Sequence, residues 1–289
     1  MSPSSTRRNC CRRGGGNDWA LGLSCQALSS DMKNQYFGDK RDLFKYDLWL
    51  EVAERVRARI HTYVPMLTPP DRRPNEGRRF PADAGRYRRT VFDFLKRCRD
   101  PNKRNITQLR EFFRNQSLSY YGYRDNESEY FAHESRNEYF TNIPPDSLDD
   151  AVILIDPDRG LETRTNYWTK KEHRDKYVTC QNVADVAGRS SGKSVIVLFQ
   201  FLQPDATKRV GDLREREQRL RDALCSVRTA WQPIPWVAEA QKSRDGHQVP
   251  RELAFFVIGV GPETAKAVNP IIQMYAQRCG LRYCLGDTN

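Results

Sequence analysis

An aliphatic run that ends in a cluster of carboxylates is the first place in this sequence where chemistry is expected. Residues 152–155 are all aliphatic, and Asp156, Asp158 and Glu162 follow them within a turn. An uninterrupted apolar run bounded by turn residues is typical of a buried strand in a parallel sheet. Ligand-binding residues of open α/β sheets lie at the carboxyl ends of such strands. The acidic turn is therefore a candidate active site.

Three carboxylates at one strand end cost free energy unless a cation, a hydrogen-bond donor or a substrate meets them. One hypothesis is a magnesium site, in which Asp156 and Asp158, together with Glu162, hold one or two Mg2+ ions. Lys45 or Lys176 would then steady the charge of a phosphate. The alternative is an ordinary acidic turn after a strand, with no catalytic role.

A second set of charged residues lies nearer the amino terminus. Asp39, Asp42 and Lys45 recur at intervals of three, so a helix would place them on one face. Gly38 marks a turn directly before them, and Tyr46 follows. An acid–acid–base face beside a glycine turn suits a cofactor or a metal-bound phosphate, whereas helix capping with an ion pair is the structural alternative. We take these five residues as candidate cofactor-binding residues.

The elements that must position these residues follow from hydrophobic periodicity. Apolar residues recur with a helical period in some segments and form short continuous runs in others. Alternation of strands and helices predicts an α/β, Rossmann-like fold with a mostly parallel sheet and helices on both faces. The predicted helices are 42–61, 89–99, 106–116, 169–186, 212–228 and 262–279, and the predicted strands are 61–67, 152–155, 194–201, 253–260 and 281–285.

Composition shifts suggest the domain organisation. Residues 1–31 are predicted to be a disordered or over-called extension, and 32–289 a single Rossmann-like domain. An aromatic and basic helical insertion is expected at about 88–145, after a long loop over 68–87. Aromatic residues interleaved with arginines in 117–142 suit stacking on bases, or a half-buried cap packed on the sheet.

The charge balance favours an acidic partner. The 289-residue chain has a formal net charge of +11 and a pI near 9.3, which indicates nucleic acid before a membrane. Its eight cysteines are scattered without a C-x-x-C pair, which is typical of reduced thiols in a cytoplasmic protein. No apolar run is long enough to span a membrane.

Residues 187–194, AGRSSGKS, satisfy a loose phosphate-loop pattern. That motif binds phosphate only when a strand precedes the loop and a helix follows it. Here a predicted helix precedes the loop and a buried strand follows. An ordinary helix-to-strand turn is therefore expected.

Two stretches resemble a known group. Residues 35–46 and 156–162 resemble the QYFGDxxDxxKY and DPDxGLE signatures of an uncharacterised bacterial family. More distantly, the first stretch resembles the G-N-x-x-D-x-x-K-H opening of the 23S ribosomal RNA adenine-N6 methyltransferases. That resemblance implies a class I methyltransferase-like fold and S-adenosylmethionine bound near Asp39 and Lys45. It also implies that Asp156 orients a target amine.

The same comparison of motifs shows two departures. Asp158 stands where those methyltransferases have the second proline of I-D-P-P-[YF], and no glycine-rich cofactor loop follows the first predicted strand. The leading hypothesis is a nucleic-acid-directed, methyltransferase-like enzyme that uses S-adenosylmethionine. A Mg-dependent nuclease or phosphoesterase is the first alternative, and a non-catalytic module that binds nucleic acid or protein is the second.

Overall fold

The computed structural model describes residues 37–69, 80–100, 104–125, 130–163, 166–171, 173–202, 208–227, 234–238 and 253–284. The predicted extension over 1–31 lies outside these residues, as does part of the predicted loop over 68–87. The helices of the described part are α1 Lys40–Val56, α2 Arg89–Arg97, α3 Gln108–Asn115, α4 Arg136–Thr141, α5 Cys180–Arg189, α6 Arg209–Cys225 and α7 Pro262–Cys279. The strands are β1 Ile60–Met66, β2 Tyr120–Gly122, β3 Ala151–Pro157, β4 Gly160–Leu161, β5 Tyr177–Val178, β6 Val195–Phe201, β7 Trp236–Ala238, β8 Leu253–Gly259 and β9 Arg282–Cys284.

Seven of these strands form one sheet in the order β2-β1-β3-β6-β8-β7-β9. The first four are parallel to one another, whereas β8 runs antiparallel to both of its neighbours and β9 runs antiparallel to β7. Strands β4 and β5 pair separately as a small parallel sheet. The predicted α/β, Rossmann-like fold with a sheet that is mostly parallel in its core is confirmed.

Helices cover both faces of the sheet, as the buried strand pattern requires. Val152 and Leu154 of β3 pack on the face covered by α1, α2, α3 and α7. Ile153 and Ile155 pack on the opposite face with α4, α5 and α6. All four side chains are fully buried, and each contributes roughly 1.5–3 kcal/mol of hydrophobic stabilisation. This two-sided burial explains why the strand sequence is continuously apolar rather than alternating.

Helix α1 is fixed at both ends and against the central strand. Asp39 caps its amino end, where its carboxylate accepts the backbone N–H groups of Arg41 and Asp42. Arg57 ends the helix in a left-handed conformation. In the middle of the helix, the indole N–H of Trp49 donates to the carbonyl of Val152 at 2.9 Å. The helix is thereby held against β3, with its first turns near the carboxyl end of that strand.

Three sequence-based expectations need correction. The predicted helix over 169–186 is wrong: short 3-10 turns at Asn166–Thr169 and Arg174–Lys176 lead into β5, and α5 begins only at Cys180. A capping box between Thr179 and Asn182 starts α5 there. Residues 88–145 are not wholly an insertion, because β2 joins the main sheet beside β1. Strand β7, which the sequence analysis missed, pairs with both β8 and β9.

The expected helix-to-strand turn within residues 187–194 is confirmed, since α5 ends at Arg189 and β6 begins at Val195. Five free cysteines lie in the described part of the chain: Cys98, Cys180, Cys225, Cys279 and Cys284. None of the helices in the described ranges combines the length and hydropathy needed to cross a membrane.

A buried ionic network joins α1 to α7 and to the start of α2. Asp47 has no exposed surface and accepts the backbone N–H of Arg88 and the hydroxyl of Tyr275, both at 2.8 Å. Glu51, one turn later, pairs with Arg88 at 2.7 Å and with Arg278 at 3.0 Å. Since these carboxylates bind α1 to α7 and to the start of α2, the network fixes the orientation of α1.

We expect Asp47→Ala to lower the free energy of unfolding by about 2–4 kcal/mol, because it leaves a buried N–H and a buried hydroxyl without acceptors. Urea denaturation measures this change. Glu54→Ala is the matched control, since Glu54 also pairs with Arg88 but its side chain is 65% exposed. That control should change stability by less than about 0.5 kcal/mol. Equal effects of the two substitutions would contradict the structural role assigned to Asp47.

Candidate functional site

Lys45 and Asp156 form the centre of the candidate site. Lys45 projects from α1 and Asp156 from the carboxyl end of β3, and the ammonium Nζ lies 2.7 Å from Oδ2 of Asp156. The same ammonium donates to Oδ1 of Asp42 at 3.0 Å. The Lys45 side chain is 10% exposed and that of Asp156 13%. The structure thus brings together predicted residues that are 111 positions apart in the chain.

Protonation states at this centre follow from burial and from the neighbouring charges. Burial lowers the pKa of Lys45, but the charges of Asp156 and Asp42 outweigh that effect and hold the pKa above its usual value. Burial raises the pKa of Asp156, and the ammonium of Lys45 opposes the rise. Lys45 is therefore a stable cation. Together with the Tyr63 hydroxyl it favours the ionised form of Asp156, whose pKa burial nevertheless keeps above its ordinary value.

Tyr63 of β1 is the third partner of Asp156. Its hydroxyl donates to Oδ2 of Asp156 at 2.7 Å, the same oxygen that Lys45 contacts. Burial, together with the charge of Asp156, raises the pKa of Tyr63 well above its ordinary value. Tyr63 consequently remains a hydrogen-bond donor. Within the described residues, Oδ1 of Asp156 accepts no hydrogen bond, so one oxygen is held and the other is available to a ligand.

Gly38 and Asp42 shape the entrance to α1. Gly38 has φ +83°, a left-handed conformation that glycine adopts without steric cost. Its backbone N–H donates to Oδ2 of Asp42 at 2.8 Å. Asp42 therefore links the turn to Lys45, because its other oxygen accepts the ammonium. A side chain at position 38 would also approach the carbonyl of Leu95 to 3.2 Å.

Asp39 is a buried carboxylate whose Oδ1 caps the helix. Among the described residues, its ion-pair partner is Arg41, at 3.9 Å from Oδ2. Burial and the nearby charge of Asp42 raise the pKa of Asp39 to about 6. A cation bound beside Asp39 would relieve this unfavourable charge. Helix capping uses Oδ1 of Asp39. The same residue could therefore cap α1 and contact a ligand through its other oxygen.

Tyr46 supports the site from behind rather than facing a ligand. It is 2% exposed, and its ring lies 6.3 Å from the ring of Tyr63 and 6.2 Å from that of Phe37. The Lys45 ammonium lies 5.6 Å from the Tyr46 ring and 5.1 Å from that of Phe199 on β6. Tyr46 therefore contributes to the wall around the Lys45 charge.

Asp158 lies at the edge of this site. Its Oδ2 is 3.4 Å from the hydroxyl of Thr68, which follows β1. The register of the parallel strands explains this contact, because Pro65 of β1 pairs with Asp156 and Met66 pairs with Pro157. The carboxyl ends of β1 and β3 are thus level with each other.

Glu162, the third carboxylate of the predicted cluster, points elsewhere. Its Oε1 pairs with Arg219 of α6 at 3.0 Å, and its carbonyl accepts the same guanidinium. The preceding turn is held by Gln200, whose Oε1 accepts the Leu161 N–H at 2.9 Å. Gly160, at φ +108°, leaves room for that amide, since a Cβ there would lie 2.4 Å from it. Glu162 and Gln200 shape the turn instead of extending the Asp156 site.

The metal hypothesis has a specific geometric requirement, namely several carboxylates directed at one point. Within the described ranges, no three His, Cys, Asp or Glu side chains are grouped so that they could hold a metal ion. Oδ2 of Asp156 is already occupied by an ammonium and a hydroxyl. The arrangement of Asp156 thus resembles a neutralised hydrogen-bond acceptor more than a metal ligand.

Sequence reasoning missed Tyr63 and Thr68. Tyr63 lies in a strand whose alternation places it on the α1 face, and a tyrosine among apolar residues at such a position signals a buried hydroxyl that needs a partner. Thr68 follows the strand end immediately. Pairing the ends of the two predicted strands in register would have found both residues.

We expect the stability of the protein to depend on pH through Asp39. Because the pKa of Asp39 is about 6 in the folded state and the ordinary pKa of the group is 3.8, the folded state binds the proton more tightly. The stabilisation is greatest below pH 3.8 and is lost as pH rises through 6, to an extent of about 3 kcal/mol. Asp39→Asn keeps a helix-capping side chain but removes this dependence, so its stability relative to wild type should increase from pH 4 to pH 7.

Urea denaturation of both proteins at several pH values measures the difference. Asp39→Ala serves as the control, since loss of the cap should cost about 1 kcal/mol even where Asp39 is protonated. Parallel stability curves for wild type and Asp39→Asn would contradict the raised pKa of Asp39.

Comparisons with known proteins add only a remote likeness. No protein-family model matches the chain, and no curated protein matches it. Among solved structures, the chain is similar to protein LPL1258 from Legionella pneumophila, assigned to family DUF519, with 12% sequence identity and a TM-score of 0.37. The match covers 87% of this chain and 98% of that one. At this identity and TM-score, the likeness assigns neither an activity nor site residues, and function must be argued from the site itself.

Proposed function

We propose that this protein is a nucleic-acid-directed methyltransferase that uses S-adenosylmethionine to methylate an exocyclic amine of a base. The observation that carries the proposal is the asymmetric environment of Asp156. One carboxylate oxygen is held by Lys45 and Tyr63, and the other has no hydrogen-bond partner among the described residues. That second oxygen suits the N–H of an amine at the carboxyl end of a central strand, where α/β sheets bind their ligands.

An amine that donates to Asp156 is oriented by the carboxylate, because Oδ2 is fixed from two directions and the side chain is largely buried. Positioning of this kind accounts for a large part of enzymatic rate enhancement. Hydrogen bonding to an anionic acceptor also increases the electron density on the nitrogen. Lys45 sustains that acceptor, since it favours the ionised state of Asp156 despite burial. The motif resemblance, which implies that Asp156 orients a target amine, agrees with this role.

The residues around α1 fit S-adenosylmethionine by charge. The amino-acid end of that molecule carries an ammonium and a carboxylate, and the sulfonium adds a second positive charge. Asp39 is a buried carboxylate whose raised pKa of about 6 reflects burial without sufficient counter-charge. Lys45 is a buried cation within reach of the same helix face. Asp39 and Asp42 would hold the positive groups, and Lys45 the carboxylate. When bound, the cofactor supplies an electrophilic methyl group.

The proposal includes the kind of substrate and the location of the protein. The net charge of +11 supports a polyanionic substrate. A cytoplasmic location, in which nucleic acid and S-adenosylmethionine meet, is part of the same proposal. The Mg-dependent nuclease alternative is less well supported, because Lys45 neutralises Asp156 and Arg219 neutralises Glu162.

We expect the full chain to bind S-adenosylmethionine in calorimetric titrations without added metal. Lys45→Met should weaken binding by about 10- to 100-fold, because it removes a charge-assisted hydrogen bond. Lys266→Met is the matched control, since Lys266 lies on the exposed surface of α7, 65% exposed and paired with Glu263. Lys266→Met should bind S-adenosylmethionine with the same affinity as wild type.

Titration with MgCl2 alone distinguishes the alternatives. Absence of cofactor binding together with Mg2+ binding that is lost in Asp156→Ala would contradict methyl transfer and favour the nuclease. If neither titration shows binding, the non-catalytic module becomes the better account. A thermal melt of each variant checks that it is folded before binding is compared.

A further inference from the structure

A pocket lies at the carboxyl end of β1, on the opposite side of that strand end from α1. Its walls come from β1, from the turn after β2 and from the segment that leads into α4. Three of the seven lining residues are aromatic, one is an arginine, and three carry hydroxyl groups. We call it the aromatic pocket, and its lining residues are Pro65, Leu67, Arg124, Tyr130, Phe131, Ser135 and Tyr139.

Hydrogen bonds to main-chain carbonyls of the β1 end hold the aromatic pocket beside the candidate site. The Phe131 N–H donates to the carbonyl of Leu67 at 2.8 Å, and the Tyr139 hydroxyl donates to the carbonyl of Pro65. Pro65 is the register partner of Asp156 in the neighbouring strand. The pocket therefore adjoins the strand end that carries the catalytic carboxylate of the proposed function.

Arg124 is held in an unusual conformation at the pocket wall. Its φ is +52°, a left-handed conformation that costs about 1 kcal/mol or more for a residue with a side chain. Its guanidinium lies 5.6 Å from the Tyr123 ring and 5.7 Å from the Tyr139 ring. A planar cation stacked on aromatic rings offers both a flat surface and hydrogen-bond donors to a flat, polar ligand.

Arg136, which follows the pocket residue Ser135, docks onto a segment that carries several lysines. Arg136 is 5% exposed, lies 5.0 Å from the Phe131 ring, and donates to the carbonyls of Arg174 and Tyr177 at 2.6 and 2.5 Å. These bonds dock the pocket wall onto the chain between β4 and β5. That chain carries exposed Lys170 and Lys171 and half-buried Lys176. We call these three lysines the basic segment.

We propose that the aromatic pocket holds one base of a single-stranded nucleic acid, while the basic segment contacts the flanking phosphates. Aromatic stacking with adjacent cations is the chemistry by which proteins bind unpaired bases without a duplex. The inference rests on the proposed function, because it assigns the place where the nucleic acid is held next to Asp156. It also resolves the two interpretations of the aromatic segment: Phe131 and Tyr139 are buried cap residues, whereas Tyr130 is half-buried at the pocket.

Fluorescence anisotropy with labelled single-stranded DNA and RNA, in the absence of S-adenosylmethionine, tests the inference on the full chain. We expect Tyr130→Ala to weaken binding about 10-fold, the loss typical of one stacked base. Tyr130→Phe keeps the ring and should bind like wild type. Lys170→Glu with Lys171→Glu should weaken binding and reduce its salt dependence.

The charge-matched control is Lys96→Glu with Lys266→Glu, since both residues are exposed on helices of the other face of the sheet. The inference is overturned if wild type binds neither nucleic acid, if Tyr130→Ala binds like wild type, or if the control pair costs as much affinity as the basic-segment pair. It is also overturned if Tyr130→Ala weakens binding of S-adenosylmethionine instead of the oligonucleotide. Tyr130-dependent oligonucleotide binding without any cofactor binding would leave this site standing and refute the proposed function alone.

Discussion

The site depends on one buried cation, Lys45, placed between two carboxylates. Its ammonium contacts Asp42 on its own helix and Asp156 on β3, so the charge joins α1 to the central strand. Taking these three charges out of water is costly, and only close pairing offsets that cost. The remainder of the local structure serves this pairing: Trp49 anchors α1 to β3, and Asp47 ties the helix to α7. A site with such a cost is commonly retained for function rather than for stability.

The same interaction explains how Asp156 can be paired with a cation and still keep one oxygen without a hydrogen bond among the described residues. Lys45 and Tyr63 approach a single oxygen of Asp156, which leaves the geometry of the other oxygen to the ligand. Asp39 differs from Asp156, because within the described ranges its ion pair with Arg41 is as long as 3.9 Å. The site therefore contains Asp156, which pairs closely with a cation, and Asp39, a carboxylate with only a long ion pair among the described residues. Such a distribution suits a substrate amine and a cationic cofactor better than it suits a divalent metal.

Much of the fold could be predicted from local patterns, and so could part of the site. The continuous apolar runs at β3, β6 and β8 identify buried strands, and the three-residue spacing of Asp39, Asp42 and Lys45 identifies a shared helix face. The direction of β8 could not be predicted, since an apolar run does not encode which way its neighbours run. Glu162 could not be separated from Asp156 either, because its partner Arg219 lies 57 residues away. Both features depend on contacts between residues that are far apart in the chain, which local sequence patterns do not reveal.

The most direct test of the central claim is transfer of a tritiated methyl group from S-adenosylmethionine to single-stranded RNA and DNA, compared between wild type and Asp156→Asn. The account predicts label in the nucleic acid with wild type and a loss of about 100-fold or more in the variant. Asp156→Asn keeps the size of the side chain but removes the charge that Lys45 holds. Absence of label with wild type, or equal labelling by both proteins, would contradict the account.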